Sequence, residues 1–189
     1  LVLFADDVNG TSGVHLGFSL SGTGEGLYLF DSPVRGEALL DSVEFGPQAP
    51  GLSIGRDERD QWHLNTPTLG QVNIRQRTGN TENLLINEWM TEGEVLYRDD
   101  WFEIYNPDPL PVPLEGLGVS DHPATPQNHS FPPLSFISGG GYLKLIADRN
   151  ISAGPDHVPF ALDADGDRIL LFDASGNTID EVIFGPQGS

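Results

Sequence analysis

His157 to Gln187, HVPFALDADGDRILLFDASGNTIDEVIFGPQ, is written twice in this chain. The earlier copy, His15 to Gln48, reads HLGFSLSGTGEGLYLFDSPVRGEALLDSVEFGPQ. His15, Phe18, Leu20, Gly24, Leu29, Phe30 and Asp31 meet His157, Phe160, Leu162, Gly166, Leu171, Phe172 and Asp173, all 142 positions apart, as His157 is from His15. Past a short insertion in the first copy the offset becomes 139, as Phe184 is from Phe45. Asp41, Val43, Phe45, Gly46, Pro47 and Gln48 then meet Asp180, Val182, Phe184, Gly185, Pro186 and Gln187. A match of this length within one chain implies two copies of one folding unit.

Outside this stretch the copies differ in what surrounds them. Leu1 to Asp6, LVLFAD, matches Leu143 to Asp148, LKLIAD, but the residues from near Leu84 up to Tyr142 have no counterpart ahead of Leu1. Conversely, Ala49 to Asn73 follows the first Gly-Pro-Gln and has no counterpart after the second. Residues 1–73 therefore read as the back part of a first unit and 84–189 as a second unit without its last strand. Residues 74–83, IRQRTGNTEN, read either as a polar linker or as the tail of unit one's last strand. The whole is expected to be a fragment of a longer tandem protein. An incomplete unit one should expose sheet edges and apolar surface. It is expected either to be less ordered than unit two or to lend Ser53 to Leu64 to the place of unit two's absent strand.

Charge and composition exclude several classes of function. Nine Lys and Arg against 28 Asp and Glu give a formal charge of −19, which argues against nucleic acid, whose binding draws on cations that neutralise phosphates. No cysteine is present, so disulfides and thiolate metal sites are out. No run approaches the roughly 18 apolar residues of a membrane helix, so no membrane insertion by a helix is expected.

Short runs rich in β-branched and aromatic residues follow one another in the second unit: Leu84 to Met90, Trp101 to Asn106, Leu114 to Ser120, Tyr142 to Ala147, Arg168 to Asp173 and Thr178 to Phe184. Gly, Pro, Asn and Asp bound each run, and no window carries a helical stripe, which points to an antiparallel sandwich or barrel. Ala174-Ser-Gly-Asn177 reads as a hairpin loop. Pro107 to Pro113 cannot donate the hydrogen bonds of a central strand and is expected at an edge or over the surface. Gly139-Gly-Gly141 reads as a flexible entry into the next strand.

Taken in order, Leu85-Ile-Asn-Glu-Trp-Met90, Asp100-Trp-Phe-Glu-Ile-Tyr-Asn-Pro107, Leu114-Glu-Gly-Leu-Gly-Val-Ser-Asp121, Phe131-Pro132, Gly140-Gly-Tyr-Leu143, Ala147-Asp148, His157 and Asp180-Glu-Val-Ile-Phe-Gly185 resemble the lamin tail domain family. Unit one carries the end of that pattern in Asp41 to Gly46, Ser53-Ile-Gly-Arg56, Trp62 and Thr66-Pro67. The resemblance implies an all-β fold, an immunoglobulin-like antiparallel β-sandwich in two tandem copies. It further implies a non-catalytic accessory module of a larger bacterial protein, extracellular or at the cell surface. Its expected partners are the neighbouring domains of the same chain and a protein or carbohydrate ligand. The family supplies no common catalytic residues to carry over.

Several residues invite a sharper reading. Asp163, Asp165 and Asp167, in Asp-Ala-Asp-Gly-Asp, alternate around a glycine as Ca²⁺ ligands do; a polar turn is the favoured reading, since the twelfth position is Ala174 and the other copy has Ser21-Gly-Thr-Gly-Glu25. A Ca²⁺-dependent carbohydrate-binding module is thus the alternative function. His15 and His157 occupy equivalent places, either as packed or hydrogen-bonded side chains or as a metal or base site, with Asp6 and Asp148 the repeated carboxylates nearby. His122 and His129 share one loop that is a weaker metal candidate. Asp99, Asp100 and Glu103 form the densest carboxylate group, read as a solvated strand entry rather than a catalytic pair of a secreted hydrolase. Trp62, Trp89 and Trp101 are either core residues or a sugar-stacking platform. Asn9-Gly-Thr11, Asn128-His-Ser130 and Asn150-Ile-Ser152 match the glycosylation pattern.

Overall fold

The structure is a computed structural model and describes residues 1–7, 13–91 and 99–186. Gln187 and the acceptor triplet Asn9 to Thr11 lie outside the described residues. Strands form where branched and aromatic residues run between turn residues. In the first part they are β1 (Leu3–Ala5), β2 (Val14–Leu16), β3 (Glu25–Phe30), β4 (Leu39–Phe45), β5 (Ser53–Arg56), β6 (Trp62–Thr66) and β7 (Ile74–Arg75). In the second they are β8 (Leu85–Met90), β9 (Trp101–Tyr105), β10 (Val112–Pro113), β11 (Gly118–Ser120), β12 (His129–Ser130), β13 (Phe136–Ile137), β14 (Tyr142–Ile146), β15 (Asp167–Phe172) and β16 (Thr178–Phe184).

The second part is a two-layer antiparallel sandwich. One layer has the order β14-β9-β8 and the other β12-β11-β15-β16. Successive side chains of a strand alternate between faces, so Phe102 and Ile104 of β9 point inward beside their partners Leu145 and Leu143. Val119, Leu171, Ile169 and Val182 answer from the facing layer. Phe102 and Phe160 stack with centroids 6.0 Å apart at the centre. One bond stitches the layers at their rim: the Ile86 N–H donates to Asp180 Oδ2 at 2.7 Å.

The proline-rich segment keeps to an edge, its Val112 and Pro113 pairing, among the described residues, with Ile137 and Phe136 alone. The Asp173 to Asn177 hairpin closes as its residues require, with Gly176 at φ 82° and the Asp173 carboxylate taking the Ser175 and Asn177 N–H groups, each at 2.8 Å. Gly139 to Gly141 is not a flexible entry. A Cβ on Gly139 would lie 2.2 Å from the Pro109 carbonyl oxygen, and Gly140, at φ 63°, donates to Asp108 O at 3.0 Å. These glycines allow two backbones to touch.

The matched segments pair alike. Glu25↔Phe45 of β3–β4 answers Asp167↔Phe184 of β15–β16, and the register slips in both, after Leu29 and after Leu171. The parallel contact Phe4↔His15 answers Ile146↔His157. Gly24 and Gly166 take φ 118° and 127° at the same turn. What differs is cover: Leu171 is 0% exposed and Leu29 56%, Phe160 3% and Phe18 44%.

Ile74 and Arg75 pair with Thr66 and Asn65, so they extend the sheet of β5 and β6 and the connection to β8 begins after them. Among the described residues that sheet adds no strand to the second sandwich, because β6 pairs with β5 on one side and β7 on the other. Ser53 to Leu64 is therefore not lent as a replacement strand. The two parts meet instead through Phe45 to Ala49 and Pro132 to Phe136. Gly46 N–H donates to Pro133 O at 3.1 Å, Phe136 N–H to Pro47 O at 2.7 Å and Gln48 Nε2 to Leu134 O at 2.9 Å. Ala49, Leu64, Leu134 and Phe136 form a second, smaller buried cluster there.

The loop after β11 folds back over that strand, so a Cβ on Gly118 would sit 2.3 Å from the Pro126 carbonyl. Gly118→Ala is expected to destabilise the second sandwich by about 1–3 kcal/mol through this overpacking. An unchanged urea midpoint would show that the loop yields freely.

Candidate functional site

The acidic turn Asp163 to Asp167 joins Leu162 to β15 beside a shallow polar pocket of about 370 Å³ that includes Asp100 and Arg149. Its carboxylates serve the backbone. Asp163 Oδ1 accepts the Asp165 N–H at 2.9 Å, and Asp167 accepts the Asp163 N–H at 3.1 Å and the Arg168 N–H at 2.8 Å. The first copy makes the same turn with other chemistry. Ser21 Oγ accepts the Thr23 N–H at 3.2 Å and the Glu25 carboxylate takes the Ser21 N–H. Asp163, Asp165 and Asp167 do not form a ligand set: no group of three or more His, Asp or Glu is placed to hold a metal among the described residues. Three carboxylates in one turn satisfy N–H donors as readily as a cation, and here two of them do so.

The repeated histidines do meet the repeated aspartates. His15 Nδ1 lies 2.9 Å from Asp6 and His157 Nδ1 2.9 Å from Asp148. In the second copy both side chains are largely buried and Asp148 also accepts the Asn150 N–H at 2.9 Å. The pair clamps the chain where it crosses from Ile146 to Val158, with backbone bonds Ile146 N to Asp156 O and Val158 N to Ile146 O, each 2.8 Å. A catalytic dyad needs a nucleophile or substrate cleft as well. This clamp lies along a strand edge.

The other histidines are separated. His122 Nδ1 accepts the Ala124 N–H at 3.1 Å, while His129 sits edge-on to Phe131 with centroids 5.4 Å apart. Burial holds the His129 imidazole below the ordinary histidine pKa. The fold thus keeps it neutral, and unfolding takes up a proton once the pH drops below the unfolded value of about 6.5. Its contribution is complete above that pH and is lost as the pH falls through it. The melting temperature of wild type is expected to drop further than that of His129→Leu between about pH 7.5 and about pH 5; parallel profiles would contradict this.

Asp100 and Glu103 part company at the start of β9. Asp100 Oδ2 accepts the Leu162 N–H at 3.1 Å, whereas Glu103 takes Asn87 Nδ2 at 2.9 Å and sits opposite Lys144. Asp99 is exposed. Each tryptophan packs against neighbours of its own. Trp89 stacks on Phe184 at 5.3 Å, Trp62 is covered by the Arg56 guanidinium at 4.4 Å, and Trp101 is half-buried between Met90 and Ile146 in the register of its sheet.

Two clusters of unit one escape a reading by motif. Arg56 binds Asp41 at 2.7 Å and Asp60 at 2.9 Å while stacking on Trp62, and these partners hold its pKa up. His63 Nε2 lies 3.1 Å from Asp57, whose carboxyl is pulled down chiefly by the Gln61 and Arg59 N–H groups. The signal for the first was Ser53-Ile-Gly-Arg56 followed by Trp62; the second has none beyond the turn around Asp60.

No curated relative matches the chain. A family model, the Lamin Tail Domain, matches residues 77–185, which span both layers of the second sandwich and more than half of the 189 residues. The family is one of immunoglobulin-like, non-catalytic modules, in keeping with a site region whose acids and imidazoles hold the backbone. The chain belongs to the lamin tail domain family.

Proposed function

We propose that the chain is a non-catalytic accessory part of a larger bacterial extracellular or cell-surface protein, with two lamin-tail-like units in tandem, residues 1–73 and 84–189, that space and present neighbouring domains and touch a protein or carbohydrate. The observation that carries this reading is the employment of the candidate groups. Asp100, Asp163, Asp167 and the Asp148–His157 pair each bind backbone or a neighbouring crossing, which leaves them to define geometry rather than chemistry. The family match and the repeated pairing of β3–β4 and β15–β16 support it. So does a net charge of −19, which favours a soluble, self-repelling surface.

Calorimetric melting with excess Ca²⁺ and with EDTA tests the reading. A site held at 100 times its Kd would add about 2.7 kcal/mol and so about 10 °C or more for a unit of this size. The expected difference is below about 1 °C. A Ca²⁺-dependent rise that Asp163→Ala removes would replace this reading with the calcium-dependent carbohydrate-binding one. Turnover of ester, glycoside or phosphoester substrates, lost in His157→Ala, would overturn it from the catalytic side.

A further inference from the structure

The seam between the two parts holds a pocket of about 280 Å³, near the lower end of the roughly 300–1,000 Å³ of small-ligand sites. Thr23 and Gln48 reach it from the first part, and Phe136, Ser138 and Tyr142 from the second. We infer that this pocket binds a neutral saccharide. The inference rests on the reading of the chain as a part that touches a ligand, and gives that reading a site and a ligand class.

Charge decides the first half of the argument. Asp, Glu, Lys and Arg make up 20% of the chain, yet none of them lines the pocket. A phosphate, carboxylate or ammonium group would enter without a counter-charge, and an anion would also meet the field of a chain at −19. The lining instead combines an aromatic ring with neutral polar groups. Tyr142 stacks on Tyr105 with centroids 4.7 Å apart and is still 58% exposed, so the pair presents one ring to whatever enters. The Thr23 and Ser138 hydroxyls can each donate or accept. Gln48 Nε2 donates to Gly46 O at 2.7 Å and Leu134 O at 2.9 Å, which fixes the amide, and its Oε1 accepts no hydrogen bond among the described residues. A pyranose has the matching chemistry, with C–H groups on its faces and hydroxyls at its rim. A proline-rich peptide needs a groove that follows its extended helix at about 3.1 Å per residue, with aromatic steps along it. This pocket offers one such step.

The pocket is also built before any ligand arrives. Phe136 N–H donates to Pro47 O at 2.7 Å and Gln48 N–H to Gly22 O at 2.9 Å, so both sides are tied to the same short segment. Pro47 and Pro50 stiffen that segment. Little ordering is left for the binding step.

Isothermal titration of the full chain with cellotetraose, maltotetraose, xylotetraose and N-acetylchitotetraose tests this, with tetragalacturonate as the charged counterpart and decaproline as the peptide. At least one neutral oligosaccharide is expected to bind with a Kd of about 1 mM or tighter, and tetragalacturonate about 10-fold more weakly or worse. Tyr142→Ala is expected to weaken binding by about 10-fold or more. Thr23→Trp, on an exposed turn, is expected to abolish it by filling the pocket, and Tyr28→Ala, at an exposed tyrosine outside the pocket, to leave it unchanged. No heat from any of the neutral oligosaccharides at about 10 mM would overturn the inference, and so would binding that Tyr142→Ala and Thr23→Trp both keep. Decaproline binding that Tyr142→Ala removes, with no saccharide binding beside it, would overturn it as well, because the occupant would then be a peptide. Each of these results leaves the non-catalytic reading standing. Shortening of a bound tetraose, seen by chromatography, would overturn that reading and the inference with it.

Discussion

Leu171→Ala is expected to lower the stability of the second sandwich by about 2–5 kcal/mol, and Leu29→Ala at the equivalent place to change stability by less than about 0.5 kcal/mol. The two leucines stand at the same step of the same hairpin, each just before the register slip. Leu171 is 0% exposed within the core that Phe102, Val119 and Phe160 complete, so truncation leaves a cavity whose walls cannot fully collapse. Leu29 is 56% exposed among the described residues, and its side chain has little transfer energy to lose. Urea unfolding of both variants, followed by far-ultraviolet dichroism, reads the difference. Equal losses would mean that something covers Leu29 in solution.

Asn106→Ala is expected to cost about 2–4 kcal/mol, an effect no exposed asparagine would show. Asn106 is 0% exposed, and its Nδ2 donates to Leu110 O and Ser138 O, each at 2.9 Å. Its Oδ1 accepts the Asp108 N–H at 3.0 Å, and its own N–H bonds Gly141 O at 3.0 Å. One side chain therefore ties the proline-rich crossing to the glycine turn that leads into β14. Alanine leaves buried carbonyls without donors in a place water cannot easily reach. A lower urea midpoint together with faster exchange across 137–141 is the expected outcome. A loss under about 0.5 kcal/mol would show that the crossing is held by the glycine contacts alone.

The parts of this structure legible in the sequence are those with local causes. The repeat gave the shared register of β3–β4 and β15–β16, because apolar inward residues at the same steps and one glycine turn dictate one pairing. Asp173 to Asn177 announced its hairpin through turn chemistry that acts within five residues. The family resemblance, carried by motifs such as Asp100 to Pro107, implied the antiparallel sandwich of the second unit. What stayed hidden has its cause elsewhere in the chain. Gly139 looked like a flexible joint because the Pro109 carbonyl it admits is thirty residues away. The docking of Pro47 on Phe136 was likewise invisible, as no periodicity encodes which loop meets which. The acidic turn remained open between cation ligands and backbone acceptors because aspartate serves both, and the bonds of Asp163 and Asp167 to N–H groups became visible only in the fold. The clamps of His15 and His157 were readable as positions, and their Asp6 and Asp148 partners as neighbours, while the contact itself needed the crossing that brings them together.

Native-state hydrogen exchange at paired amides of β3 and β15 tests the central claim most directly, namely that one hairpin is written twice and closed over a core only once. Amides of Ile169 and Leu171 are expected to open only with global unfolding, and those of Leu27 and Leu29 through local opening, with protection lower by about 100-fold or more. Equal protection in the two hairpins would contradict it.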